Sequence, residues 1–400
     1  MTRVAIITPF LAQGGLEKVA VTTAEYLKEF YDIDLIVFDT FKIDYDFSGN
    51  IIDLNIKFYQ VSFKDRLKGL YLAYKKLSRM EKNYDLLIFH GELAYISGMF
   101  LNKKRIVAIH ENRFSAKKDF QAKLFHKIGK WVYKNKKIKR IITVSEGIKE
   151  KFIYFYNIPI NKIQTIYNPF DIKQIQILAE EELNEFDNFF KNNNILIKVG
   201  RLTKQKGHKY LLEVFKEYKT INSNVKLVLL GDGELKKELI DYSKRLGLKT
   251  FDIQSDNLSD NYDVYFLGFQ ENPYKFIKNS KISIMSSLWE GFGNTIVESM
   301  ACGIPVISTD CESGPREIIS PNSKKISQIH FGEYGILLPE FKNEVEKDDI
   351  NQWIEGFEYL LKDEHNYKQY SQKALQKAKD FDLEIVMNNW KNAIEESLRL

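Results

Sequence analysis

The 400-residue sequence is poor in the features that mark disulfide-bonded, fibrous or membrane-spanning chains. It has two cysteines, Cys302 and Cys311, too few for a disulfide framework or a cysteine-ligated metal cluster; they read as reduced thiols of a cytoplasmic protein. With 8 prolines and 44% hydrophobic residues it is neither low-complexity nor collagen-like. No apolar run approaches the roughly 18 residues of a membrane span. The opening stretch from Met1 to Phe10 is too short an apolar run for a signal peptide and reads as a buried first strand. Metal-binding patterns are missing too: no H-E-x-x-H occurs, and Asp44-Tyr45-Asp46 falls in a loop, so no metal is expected at the site.

What is present is a long alternation of apolar runs and helical patterns. The length suits two domains rather than one core. In the first half, strands are expected at Val4 to Thr8, Asp34 to Phe38, Leu86 to Phe89, Ile106 to Ile109 and Arg140 to Val144. The pattern restarts after Asn168-Pro169-Phe170-Asp171, with strands at Ile195 to Val199, Lys226 to Leu230, Val264 to Leu267, Ile282 to Met285 and Pro305 to Ser308. Short buried strands alternating with helices imply an α/β fold of two doubly wound parallel sheets. The domains are therefore 1–170 and 171–380, followed by a terminal helix over 381–400 that has one apolar face and could pack on either domain. The stretch from Phe189 to Ile195 reads as a surface turn.

The richest segment is Glu290-Gly291-Phe292-Gly293-Asn294-Thr295-Ile296-Val297-Glu298. Two carboxylates flank a glycine-punctuated turn that opens a helix. The unpaired N–H groups of a helix N-terminus seat phosphate, and carboxylates accept hydrogen bonds from hydroxyls, so the pattern suggests a sugar nucleotide. Three more glycine turns follow strands in the same half: Gly200-Arg201 with Lys206-Gly207, Gly231-Asp232-Gly233, and Gly268. Arg201 and Lys206 would stand at the carboxyl end of a parallel sheet, where such folds bind ligands, with a fork and a mobile point charge for phosphate oxygens. In the first half, Gly14-Gly15 sits at a strand-to-helix junction. Its spacing does not match G-x-G-x-x-G, which disfavours a dehydrogenase. His90 and His110 each follow a strand and are candidates to project at the sheet edge.

Net charge is +5, yet Lys103 to Lys151 carries 16 Lys/Arg against 4 Asp/Glu, which leaves the remainder acidic. Within it, Phe120, Leu124, Ile128, Trp131 and Val132 form an apolar stripe beside Lys117, Lys118, Lys123, Lys127, Lys130 and Lys134. That pattern serves either a core-packed helix or an interfacial membrane anchor, whose contacts would be Lys123, Lys127, Lys130, Trp131 and Lys134. No nucleic-acid-binding motif accompanies the basic patch, so nucleic acid is not an expected partner.

Gly14-Gly15-Leu16-Glu17, Gly200-Arg201, Lys206-Gly207, Gly231-Asp232-Gly233, Gly268 and Glu290 to Glu298 occur in the order seen in retaining glycosyltransferases of family 4, which this chain resembles over nearly its whole length. The resemblance implies the GT-B fold: two Rossmann-like domains facing a cleft, the terminal helix crossing back to the first. It implies a UDP-sugar donor held by Gly14, Gly15, Gly200, Arg201, Lys206, Gly231, Gly268, Glu290, Gly291, Phe292, Gly293, Asn294, Thr295 and Glu298. Arg201 and Lys206 would neutralise the diphosphate, Glu290 would contact the transferred sugar and Glu298 the ribose. His110 would lie near the reacting carbon, with His90 and His110 facing the acceptor, and the catalytic set would be His110, Glu290, Arg201 and Lys206. Ser313-Gly314-Pro315-Arg316-Glu317-Ile318-Ile319 is similar to a segment of family members that build bacterial capsule, O-antigen or teichoic acid. The expectation is a metal-independent transferase of hexose or N-acetylhexosamine, without a cofactor, acting on a lipid-linked or polymeric glycan and peripheral on the inner face of the plasma membrane. A UDP-sugar epimerase of the same fold and an inactive sugar-nucleotide-binding subunit are the rival expectations.

Overall fold

The structure is a computed structural model that describes residues 1–12, 14–58, 62–110, 129 and 132–400. The chain divides into two compact units. One comprises Met1–Pro169 with Leu383–Leu400, the other Phe170–Asp382.

The first unit is built on a seven-stranded sheet of β1 (Arg3–Thr8), β2 (Asp32–Val37), β3 (Asn50–Asp53), β4 (Leu86–His90), β5 (Arg105–Ile109), β6 (Ile138–Thr143) and β7 (Ile163–Thr165). Their order is β3-β2-β1-β4-β5-β6-β7 and every pairing is parallel. Helices cover parallel sheets on both faces, which is why β1 and β4 are apolar almost without interruption and buried along nearly their whole length. The order reverses between β1 and β4. That switch point opens a crevice beyond the carboxyl ends of the two strands, between loops that leave to opposite sides.

The second unit repeats the design with β8 (Asn194–Val199), β9 (Val225–Leu230), β10 (Thr250–Asp252), β11 (Val264–Phe266), β12 (Ile282–Met285), β13 (Val306–Thr309), β14 (His330–Phe331) and β15 (Ile336–Leu338). The order is β10-β11-β9-β8-β12-β13-β15-β14, parallel except for the β14–β15 edge. Here the switch point lies between β8 and β12. Each unit is thus a doubly wound, mainly parallel α/β sheet, as the GT-B resemblance implies for its two domains.

The terminal helix Leu383–Arg399 returns to the first unit, burying Val386, Met387, Trp390, Ala393 and Ile394 against its sheet. The spacing of these residues is one apolar stripe of a helix. Lys104 Nζ donates to the Leu398 carbonyl at 2.6 Å, and Arg140 pairs with Glu396.

One expectation is overturned. Phe189 and Phe190 lie in a helix, Asp187–Asn192, with both rings buried, Phe189 packing on Tyr265 at 4.3 Å between centroids. Polar Asn192, Asn193 and Asn194 follow them, but the two rings anchor the segment in the core. Among the described residues no helix is long and apolar enough to cross a membrane. Cys302 and Cys311 are unpaired and buried.

Replacing the buried Trp390 by alanine should cost about 3–5 kcal/mol. Urea titration followed by circular dichroism should show an earlier unfolding midpoint for Trp390→Ala; an unchanged midpoint would mean that the helix contributes nothing to the first unit.

Candidate functional site

In the second unit, two loops meet at the switch point and are zipped by their backbones. Leu288 N donates to the Gln205 carbonyl at 2.8 Å, and Gln205 Nε2 to the Trp289 carbonyl at 2.9 Å. Ser286 Oγ lies 3.2 Å from the carbonyls of Lys206 and Gly207. Gly207, at φ +64°, comes so near that a Cβ there would stand 2.0 Å from the Ser286 carbonyl oxygen. Position 207 has no room for a side chain, and the close approach delivers Lys206 to Glu290, Nζ to Oε1 at 2.6 Å. Both partners are largely buried.

The neighbouring turns join the same lattice. Gly200 N donates to the Leu230 carbonyl, Leu202 N to that of Asp232, and Gly231 N to that of Gly268 at 2.7 Å. Gly231, at φ +137°, lies against the Gly200 carbonyl so closely that a Cβ would sit 2.1 Å from it. Gly200, Gly231 and Gly268 therefore share one surface at the sheet edge. Arg201 is exposed at its rim.

Gly291, Phe292 and Gly293 lead into the helix Asn294–Ala301. Thr295 Oγ1 reaches the Val199 carbonyl at 3.5 Å and Ser299 Oγ bonds Ser283 Oγ at 2.7 Å, so the helix start is fixed over β8 and β12. Its N-terminal N–H groups and dipole favour an anion there. Asn294 is the first residue of that turn. Phe292 offers only backbone, since its ring is buried between Phe170 and Phe381. Glu298 is buried on the same helix and accepts from Tyr274 Oη at 3.3 Å. The arrangement puts a cation–carboxylate pair, a helix N-terminus and a second carboxylate along one edge. That is the chemistry of an anionic ligand bearing hydroxyls.

Beneath this edge is a group that sequence reading missed. Lys198 is wholly buried at the end of β8, and burial, reinforced by nearby Lys206 and opposed by Glu290, lowers its pKa to about 7. His208 is buried with both ring nitrogens unpartnered among the described residues, and burial keeps it neutral. Cys311 is pushed well up, chiefly by burial, and Cys302 up to about 12, again chiefly by burial. A lysine inside Ile195-Leu196-Ile197-Lys198-Val199 signals its own burial, because the run around it is a central strand.

Arg316 of the Ser313–Ile319 segment spends its guanidinium on Asp310, Nε to Oδ1 at 2.8 Å and Nη2 to Oδ2 at 2.5 Å. This pair, with Gly314 packed on the Phe292 carbonyl, ties the segment to the Glu290 turn.

The first unit has its own edge. Gly14 caps the helix Gly15–Leu27, and the Glu17 carboxylate folds back so far that a Cβ on Gly14 would meet it at 2.0 Å. Gly91, at φ +85°, abuts Leu16, bringing the loop after β4 against this helix start. His90 ends β4 and is wholly buried; its Nδ1 lies 3.0 Å from Nε2 of His110, and its ring stacks on Trp390 with centroids 5.6 Å apart. His110, part-exposed, follows β5. Burial lowers its pKa to about 4 and holds His90 lower than usual as well. Of the expected pair, His90 thus sits behind His110 and has no surface of its own to offer.

Lys123, Lys127, Lys130 and Trp131 of the basic stripe lie outside the described residues. Lys134 is exposed, whereas Val132 and Tyr133 are buried, Tyr133 bonding Tyr95 through their hydroxyls at 2.5 Å. Among the described residues no cluster of His, Cys, Asp and Glu could hold a metal ion.

Known proteins resemble this chain in sequence and in fold. A family model described as Glycosyl transferases group 1 matches residues 179–377 and one described as Glycosyltransferase Family 4 matches 13–174. An uncharacterised glycosyltransferase of Methanocaldococcus jannaschii is 37% identical over 336 residues, 78% of this chain and 79% of that protein. The Campylobacter jejuni N-acetylgalactosamine-N,N'-diacetylbacillosaminyl-diphospho-undecaprenol 4-alpha-N-acetylgalactosaminyltransferase is 30% identical over 397 residues, 96% of each chain. Among solved structures, Anabaena HepE in complex with UDP and glucose aligns with a TM-score of 0.75 over 99% of this chain and 100% of that one, at 17% identity, a likeness of fold.

Lys198 makes a prediction about stability. Its folded pKa is about 7, below the unfolded value near 10.4. Between these values the unfolded chain binds the extra proton, so this group makes stability rise with pH from about 7 to 10 and adds nothing further below 7. Comparing urea midpoints across that range, Lys198→Met should lose this rise and gain most over the unaltered protein at neutral pH; parallel curves would refute the assignment.

Proposed function

The chain belongs to the family 4 glycosyltransferases, and from that premise we propose that it is a retaining, metal-independent enzyme. It would move a hexose or N-acetylhexosamine from a UDP-sugar to a lipid-linked or polymeric glycan, in the assembly of a bacterial cell-surface polysaccharide. The observation that carries this reading is the Lys206–Glu290 pair set beside the N-terminus of the helix Asn294–Ala301 at a sheet switch point. The UDP and glucose in HepE, and the diphospho-undecaprenol acceptor named for the Campylobacter relative, support the choice of donor and acceptor class.

In this reading the bond between the anomeric carbon and the diphosphate oxygen breaks, leaving negative charge on UDP and oxocarbenium character on the sugar. Arg201, Lys206 and the helix N-terminus stabilise that charge where it develops, without a metal. Glu290 holds the sugar hydroxyls and Glu298 those of the ribose. Gly14 and Gly15 would approach the phosphates, and His110 would meet the reacting sugar. Retention follows if the acceptor hydroxyl attacks from the face the diphosphate leaves, passing its proton to the departing oxygen. No carboxylate is assigned as a nucleophile. The basic stripe with Lys123, Lys127, Lys130, Trp131 and Lys134 would rest on anionic lipid at the cytoplasmic membrane face, each nearby cation adding roughly 1 kcal/mol.

Purified protein incubated with a panel of nucleotide sugars in EDTA should release UDP from one of them. Dependence on added divalent metal would defeat the metal-free reading. The double substitution Arg201→Ala with Lys206→Ala should lower kcat/KM by about 10²–10³-fold or more; undiminished turnover would remove both from the phosphate site. Anionic liposomes should carry the protein upward in a density gradient, and replacing Lys127, Lys130 and Lys134 by glutamate should leave it at the bottom.

A further inference from the structure

We propose that His90 is a positioning residue that holds His110 in the tautomer protonated on Nδ1, and that Trp390 of the terminal helix holds His90 in place to do so. The inference rests on the proposed function only in taking His110 as the ring that meets the substrate.

The two rings meet nitrogen to nitrogen, His90 Nδ1 to His110 Nε2, at 3.0 Å. Between two neutral imidazoles such a contact needs one N–H and one lone pair. The other nitrogen of His90 decides which ring gives. His90 is wholly buried, and among the described residues its Nε2 has no hydrogen-bond partner. A neutral imidazole carries a single N–H. On Nε2 that hydrogen would be an orphaned buried donor, a rarer and costlier state than a bare lone pair. The hydrogen therefore belongs on Nδ1, from which it is donated to His110. His110 Nε2 is then the acceptor, and its own hydrogen sits on Nδ1.

Two consequences follow. The lone pair that would make His110 a general base is occupied by His90, so the ring gives its ligand a donated hydrogen bond from Nδ1–H. A sugar hydroxyl oxygen or an oxyanion fits that donor. The second consequence concerns the chain terminus. Trp390 stacks on His90 at 22° between planes, fixing the plane in which Nδ1 points. The helix Leu383–Arg399 thereby reaches the substrate edge of the first unit through two rings.

The test uses the full-length protein labelled with 15N-histidine. Two-bond proton–nitrogen correlation spectra near pH 7.5 should show both rings as Nδ1–H tautomers, the signals assigned by their loss in His90→Asn and His110→Gln. Nε2–H tautomers on both rings would overturn the proposal whether or not turnover is ever seen. His90→Asn places an amide N–H near the position of Nδ1, so His110 should stay Nδ1–H. His90→Phe keeps an aromatic ring on Trp390 but no donor, and His90→Gln places its amide near Nε2 instead; in both, His110 should drift to the Nε2–H form that free histidine favours. If Phe prevents folding, the Asn and Gln variants carry the comparison. With an active donor, His90→Phe or His90→Gln should lower kcat by about tenfold or more with KM for the nucleotide sugar unchanged, and His90→Asn should restore most of it. Equal kcat in all variants would overturn the positioning role. Absence of any turnover, by contrast, defeats the functional reading and leaves the tautomer result standing.

Discussion

A carboxylate taken out of water needs a cation held against it, and in the second unit Lys206 is held against Glu290. Such a pair gains little net stability, because desolvating two charges offsets their attraction, but removing one partner alone costs about 3–5 kcal/mol. The pair is therefore better understood as a requirement than as a support. The loop of Gln205 to Gly207 must lie on the loop of Ser286 to Trp289, and Gly207 must lack a side chain for them to approach. Lys198 below adds a second buried nitrogen near the same carboxylate. An arrangement so costly to maintain is expected where charge recognition matters more than stability.

Both units use the same device with different chemistry. Each places a helix start and a strand end around a switch point, with a positive-φ glycine closing the gap. In the second unit the edge presents charge. In the first it presents a neutral histidine, His110, backed by the buried His90, and a helix start already covered by the carboxylate of Glu17.

Much of this was legible in the chain. The long central strands were readable because parallel strands buried on both faces are apolar runs, and the Glu290 to Glu298 segment because glycines at a strand-to-helix junction leave little choice of backbone. Strands β3, β7, β10, β14 and β15 were not readable. They have two to four residues and lie at or next to sheet edges, so their pairing depends on neighbours that local pattern does not reveal. Phe189 and Phe190 were misplaced because the asparagines after them signal a turn, whereas the rings are claimed by Tyr265 and Phe276. His90 was assigned to the surface since it follows a strand. Its burial comes from Trp390, 300 residues away in sequence, which no local reading could supply.

The two buried thiols have a practical side. Cys302 and Cys311 are both shut away from solvent, and burial keeps each protonated at neutral pH, so neither is a nucleophile towards a dissolved reagent. The native chain is thus silent to maleimide chemistry without a cysteine having to be removed. A single cysteine placed on either unit would then take a spin label or fluorophore at that site alone.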